Sequence, residues 1–172
     1  MTGLLIATIG PPGAGKTTWA RCWAAGLGAR VVGLDAWRSR VSCCSADQGA
    51  TPRAVQGALQ EAREALAGGS TVLWDATSAR VRDRAALLDL AAESGAATAA
   101  VVLLPPLPVA HARNAARSRW ACGRCGGTRR VPSRVVAALH REITRDLPAL
   151  PGEGWDLIHH HLPANTETRA AA

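Results

Sequence analysis

No apolar run in this 172-residue chain approaches the roughly 18 residues that a membrane-spanning helix requires. The opening MTGLLIATIG lacks a charged leader region, and its apolar run is short. It reads as a buried strand and not as a secretory signal, so a cytoplasmic enzyme is the expectation. Cysteines are few and odd in number: Cys22, Cys43, Cys44, Cys122 and Cys125. With no secretion signal before them, free thiols or a metal site are better readings than a disulfide framework. Internal repeats are lacking as well. What remains, 48% apolar residues over this length, fits one domain (1–172) with a real core and is incompatible with a disordered chain.

Two further scarcities bear on chemistry. Among 20 basic residues only Lys16 is lysine. No Asp or Glu occurs between Glu93 and Glu142, a stretch that carries Arg113, Arg117, Arg119, Arg124, Arg129, Arg130, Arg134 and Arg141. The net charge of +7 is therefore concentrated locally and suits a polyanionic partner.

Apolar periodicity divides the chain into alternating elements. Leu4 to Ile9 reads as a buried parallel strand, Lys16 to Leu27 as a helix, and RVVGLD as a second strand ending near Asp35. A helix opens at Thr51-Pro52 and stops at Gly68-Gly69, and TVLWD is a third strand ending at Asp75. Val81, Ala85, Leu88 and Ala92 mark the next helix, and TAAVVLL is a fourth strand. Val109 to about Arg119 reads as helical, WACGRCGGTRR as a glycine-rich interruption, and Pro132 as the start of another helix. WDLIHHH is a candidate fifth strand, and the tail from Pro163 reads as frayed. Such alternation implies an α/β fold whose parallel sheet is covered on both faces. Ligands of these sheets bind at the carboxyl ends of the strands, where Asp35 and Asp75 are expected.

Gly10 to Thr17 fits G-x-x-x-x-G-K-[ST] at every position, after a predicted strand and at the start of a predicted helix. Backbone N–H groups of such a loop, with the helix N-terminus, stabilise phosphate. Gly13, Ala14, Gly15, Lys16, Thr17 and Thr18 thus form a nucleoside-triphosphate site. Lys16 is expected at the β and γ phosphates, and Thr17 on Mg²⁺. Arginine does not replace lysine easily there, because a compact ammonium must fit among phosphate oxygens. On the acceptor side, Asp35 and Arg38 share one face if a helical turn begins at Asp35. The carboxylate would take a hydroxyl proton and the guanidinium would hold an acceptor phosphate. A helix-capping Asp beside a solvated Arg is the plainer alternative.

With these motifs in place, the chain resembles the polynucleotide 5′-kinases of phage and bacterial nucleic-acid repair. IGPPGAGKTTWAR is similar to their phosphate loop and first helix, and LDAWRSRVS to their Asp-x-x-Arg segment. ADQGAT resembles a following polar segment, and VLWDATSARVRDRAALLDLA their third strand with its Asp-x-Thr/Asn turn. ARNAARSR resembles the lid helix, and VPSRVVAALHREI the helix after it. The resemblance implies a P-loop NTPase fold with a parallel five-stranded sheet and a lid at about 113–131. It implies ATP and Mg²⁺ as ligands and a 5′-hydroxyl end of RNA or DNA as acceptor. Carried over by position, Asp35 becomes the general base, Arg38 the acceptor clamp and Arg117 the lid arginine, with Arg113 and Arg119 as rivals. Asp75 would orient Arg38 or a metal-bound water. Gln48 and Asp47 would line the acceptor path, although a plain loop serves equally. A separate phosphatase or ligase partner is a further expectation by analogy.

Tryptophans can stack on a terminal base. Trp37, beside the acceptor residues, is the first candidate and Trp120 the second, whereas Trp19, Trp23 and Trp74 read as core. The lid departs from the family in carrying Cys122-x-x-Cys125. A structural zinc needs four ligands, which Cys43 and Cys44, or His111 or His140, would complete. Reduced thiols and a redox disulfide stay open beside zinc. Two other functions also stay open: a small-molecule kinase for a sugar, nucleoside or antibiotic, and a non-catalytic ATP-dependent nucleic-acid-binding module.

Overall fold

The computed structural model describes residues 2–161. Strands and helices alternate as β1 (Leu4–Ile9), α1 (Lys16–Ala24), β2 (Arg30–Gly33), α2 (Leu34–Val41), α3 (Thr51–Ala67), β3 (Thr71–Asp75), α4 (Val81–Glu93), β4 (Ala97–Val102), α5 (Leu107–Ala115), α6 (Ser133–Asp146) and β5 (Leu157–His160). The strands form one sheet in the order β2-β3-β1-β4-β5, and every pairing is parallel. Central β1 is buried because its side chains alternate between two cores. Leu5, Ala7 and Ile9 pack with Ala58, Ala62 and Leu66 of α3, Leu87 and Leu90 of α4, and Ile143 of α6. Ile6 packs with Leu73, Ala99, Val101 and Ala20 of α1 on the opposite face. Together with the glycine-rich loop between β1 and α1, this is the α/β P-loop NTPase fold that the sequence leads one to expect.

Two buried polar devices tie the elements together. Thr8 donates from Oγ1 to the carbonyls of Trp74 and Ala76, both at 3.1 Å, and so fastens β1 to the end of β3. Arg84 on α4 is 2% exposed. It donates to Glu153 (2.7 and 2.5 Å) and to the carbonyls of Ser78 and Ala79 (3.1 and 2.6 Å), which satisfies a buried guanidinium as burial demands.

Several boundaries differ from expectation. The first helix ends at Ala24, and Gly28 turns the chain with a positive φ of 57°. Edge strand β2 stops at Gly33, so Asp35 lies in the first turn of α2 and not at a strand end. The lid-side helix α5 ends at Ala115, which leaves Arg117 and Arg119 beyond it. The cause sits at Asn114, a buried side chain bonded to Val131 in both directions (2.7 and 3.1 Å), so the chain departs and returns at one point. Trp74 is buried as expected, but Trp23 is 52% exposed and meets Trp19 at 6.1 Å between ring centroids. The core face of α1 is carried by Ala20, with half-buried Trp19 packed against the same core as expected. The expected tail from Pro163 lies outside the described residues. Among those residues, no helix is long and apolar enough to cross a membrane.

Candidate active site

The phosphate loop is built around close backbone approach. Gly13 has a φ of 85°, and a Cβ there would lie 2.2 Å from the Ala110 carbonyl oxygen, so only glycine fits between the loop and α5. Arg113, one turn along α5, reaches the same loop: its Nη1 is 3.8 Å from where a Gly15 Cβ would stand. The Lys16 ammonium donates to the carbonyls of Gly10 (2.8 Å) and Pro11 (3.0 Å). Burial lowers its pKa from 10.5 to about 8, with Asp75 opposing the shift and Arg117 adding to it. Burial pushes the Asp75 carboxyl up, against a hydrogen bond from Thr17 and the charge of Lys16. Thr17 and Thr18 are exposed at the start of α1. A loop with one central ammonium, a hydroxyl and a strand-end carboxylate fits a Mg²⁺–nucleotide on donor chemistry alone.

The segment expected on the acceptor side follows β2, which is separated from β1 by β3. Asp35 and Arg38 bond each other across one turn of α2, as their spacing predicts. Arg38 is 9% exposed, and its Nε donates to the Ser45 carbonyl at 2.7 Å. Three of its five N–H donors remain beyond these two bonds. The lid reaches the same carboxylate from the other side, with Arg129 Nη2 at 3.8 Å from Asp35 Oδ2. Arg117 donates from Nη1 to the Arg129 carbonyl at 3.4 Å. Burial holds the Arg117 guanidinium below its usual range, with Arg129 adding to that shift and Asp35 and Asp75 opposing it. Lys16, Asp75, Asp35 and Arg117 thus belong to one charged cluster, although they come from four separate segments.

Other expected site residues fall elsewhere. Asp75 feels Thr17 and the charge of Lys16, and Arg38 bonds Asp35 and the Ser45 carbonyl instead, so Asp75 stands on the phosphate-loop side of the cluster. Trp37 packs against α3: its Nε1 donates to Glu61 Oε2 at 2.7 Å, and a Cβ on Gly57 would strike its ring at 2.2 Å. With the Arg40 guanidinium 4.8 Å from the same ring, Trp37 is not free to stack on a base. Trp120, 60% exposed in the lid, is free to do so. Asp47 caps its own turn by accepting from Ser42 Oγ and from the Gly49 amide (3.0 Å), the plain-loop alternative. Gln48 is exposed in that 3-10 turn, and Arg119 is exposed past α5. Arg129 and Asn114 were not singled out from the sequence. The only sign of Arg129 was membership of the acid-free stretch, and nothing marked Asn114.

The lid brings Cys122 and Cys125 to Cys43 and Cys44. All four sulfurs lie within 4.8 Å of one another. His140 instead bonds the Pro105 carbonyl through Nε2 at 3.0 Å, and His111 lies outside the cluster. Backbone N–H groups, first that of Cys125 and then that of Arg124, hold the Cys122 thiol below its ordinary range. Beside this cluster, Arg40, Arg53 and Arg124 with Ser42 and Asp47 line an open groove of about 570 Å³.

With this geometry the chain can be set against known proteins. A model of the family described as AAA domain matches residues 5–145. The chain belongs to that family. Its AAA domain is of the P-loop kinase kind, for which ATP and Mg²⁺ are the typical ligands. Among solved structures, the Pnkp1/Rnl/Hen1 RNA repair complex aligns with a TM-score of 0.70 at 19% identity, over 86% of this chain and 46% of that one. The chain therefore spans about half the length of that relative. Chaetomium thermophilum Kti12 with ADP-AlF3 aligns at 0.69 and 18% identity, over 95% and 91% of the two chains. Shikimate kinase from Acinetobacter baumannii with shikimate aligns at 0.58 and 16%, over 92% and 84%. At these identities the likeness is one of fold, and it spans polynucleotide and small-molecule kinases alike. No curated protein sequence matches the chain.

Proposed function

We propose that this AAA domain transfers the γ-phosphoryl group of ATP to the 5′-hydroxyl end of RNA or DNA. The observation that carries the reading is the placement of Asp35 between Arg38 of α2 and Arg129 of the lid, in the charged cluster that includes Lys16. Asp35 takes the proton of the 5′-hydroxyl as its oxygen bonds the γ-phosphorus and the bond to ADP breaks. The three remaining N–H donors of Arg38 hold the acceptor phosphate next to that hydroxyl. Lys16, with Arg117 and Arg113 from the lid side, stabilises charge on the transferring group. Thr17 and Asp75 would hold Mg²⁺, which supplies neutralisation of the β and γ phosphate oxygens. A polyanionic acceptor is favoured over a small alcohol because Arg40, Arg53 and Arg124 line a groove beside the four cysteines, between the segment after α2 and the acid-free lid.

The test is transfer of labelled γ-phosphate from ATP to matched RNA and DNA oligonucleotides with 5′-hydroxyl ends, with Asp35→Asn as control. Label on an oligonucleotide, reduced about 100-fold or more in the variant while ATP affinity holds, is the expected result. No label on either, with ATP still bound, would instead indicate a small-alcohol kinase or a nucleotide-dependent binding module. Asp35→Asn with full activity would remove the base.

A further inference from the structure

We propose that Cys43, Cys44, Cys122 and Cys125 form a tetrahedral zinc centre that staples the lid to the segment following α2. The Cys44–Cys125 and Cys43–Cys122 sulfurs are 3.6 Å apart, and all four lie within 4.8 Å of one another. Four zinc–sulfur bonds of about 2.3 Å at tetrahedral angles place sulfurs about 3.8 Å apart. The observed spacings bracket that value. They are far longer than a disulfide bond of about 2.05 Å, and all five cysteines are free. They are also too short to enclose a cluster of several irons.

The backbone around the thiols has the shape of a metal knuckle. Cys122 and Cys125 sit in a tight hairpin closed by the Ala121–Thr128 bridge, by Cys122 N–H to the Gly127 carbonyl (2.9 Å) and by Gly126 N–H to the Cys122 carbonyl (2.8 Å). The Gly127 amide donates to Cys125 Sγ at 3.4 Å, an amide-to-sulfur bond that fixes the Sγ position within the hairpin. The hairpin then leans on the opposite segment without a side chain between: a Cβ on Gly127 would fall 2.6 Å from the Ala46 carbonyl oxygen.

The lid also has little else to hold it. Between Ala115 and Pro132 only Cys122 is buried, so this segment has no apolar core. A closed four-thiolate zinc supplies folding energy that such a segment lacks. Because two ligands come from each side, the metal fixes the lid relative to α2, and with it the approach of Arg129 to Asp35. The assignment stands on the four sulfurs and does not depend on the acceptor.

The experiment is metal analysis of the full chain, purified without added metal, followed by exchange with Co²⁺. One zinc per chain, with the thiolate charge-transfer and d–d bands of a tetrahedral four-sulfur Co²⁺ site, is expected. Cys44→Ser and Cys125→Ser should each weaken retention 10-fold or more against a chelator, while Cys22→Ser on α1 leaves it unchanged. Chelation of the wild type should accelerate amide exchange at 118–131 and at 42–48 together, and leave β1 and β4 alone. Four freely titrating thiols with no metal, a disulfide among them, iron in place of zinc, or unaltered zinc retention in Cys44→Ser would each overturn the assignment.

Discussion

Lys16 carries the pH behaviour of the nucleotide loop. Its folded pKa of about 8 lies below the unfolded 10.5, because the ammonium is desolvated. Between these values the unfolded chain binds a proton that the folded chain does not, so this residue's contribution to stability rises with pH across that window. It is fully present above the unfolded value and is lost as pH falls through about 8. Phosphate oxygens reverse the shift by restoring a charge partner. ATP binding at pH 8.5 is therefore expected to take up a fraction of a proton per site. Calorimetry in buffers of different ionisation heat reads that number directly. Net proton release on binding would show that Lys16 does not meet the phosphates.

At the level of elements, the lid is rooted in one buried amide. Asn114 joins α5 to Val131 just before α6, through both its donor and its acceptor. Asn114→Ala leaves the half-buried Val131 carbonyl and amide without their protein partner, a loss of about 1–3 kcal/mol. Amide exchange should quicken across 116–131, and the chemical-denaturation midpoint should fall. An unchanged midpoint would mean that the lid root is held by something other than Asn114. Such a contact was hidden in the sequence, because a lone Asn in AHARNAARSR has no periodic or spacing signal. The phosphate loop, the five strands and the Asp35–Arg38 pair were legible, since each rests on local spacing. Trp37 was misjudged for the same reason that it looked attractive. Its neighbours in sequence, Asp35 and Arg38, face the cluster, whereas its own position on the helix turns it toward Glu61 and Gly57 of α3. Arg129 was not singled out because only the return of the lid, far along the chain, brings it to Asp35.

Over the whole molecule, charge separates the acceptor classes. A single-stranded polynucleotide that releases counterions loses affinity with salt, at a log–log slope of about −0.7 per neutralised phosphate. Removing one groove arginine, by Arg53→Ala or Arg124→Ala, should flatten that slope by about one contact and leave ATP binding unchanged. A flat salt response in the parent chain would favour a small alcohol. Finally, a chain whose basic residues are all arginine but one presents a single internal primary amine to any reagent. That amine lies in the loop proposed to hold the triphosphate. Acylation by an amine-selective probe, read by peptide mass, therefore serves as a built-in occupancy meter, because bound nucleotide shields the one side chain that can report it.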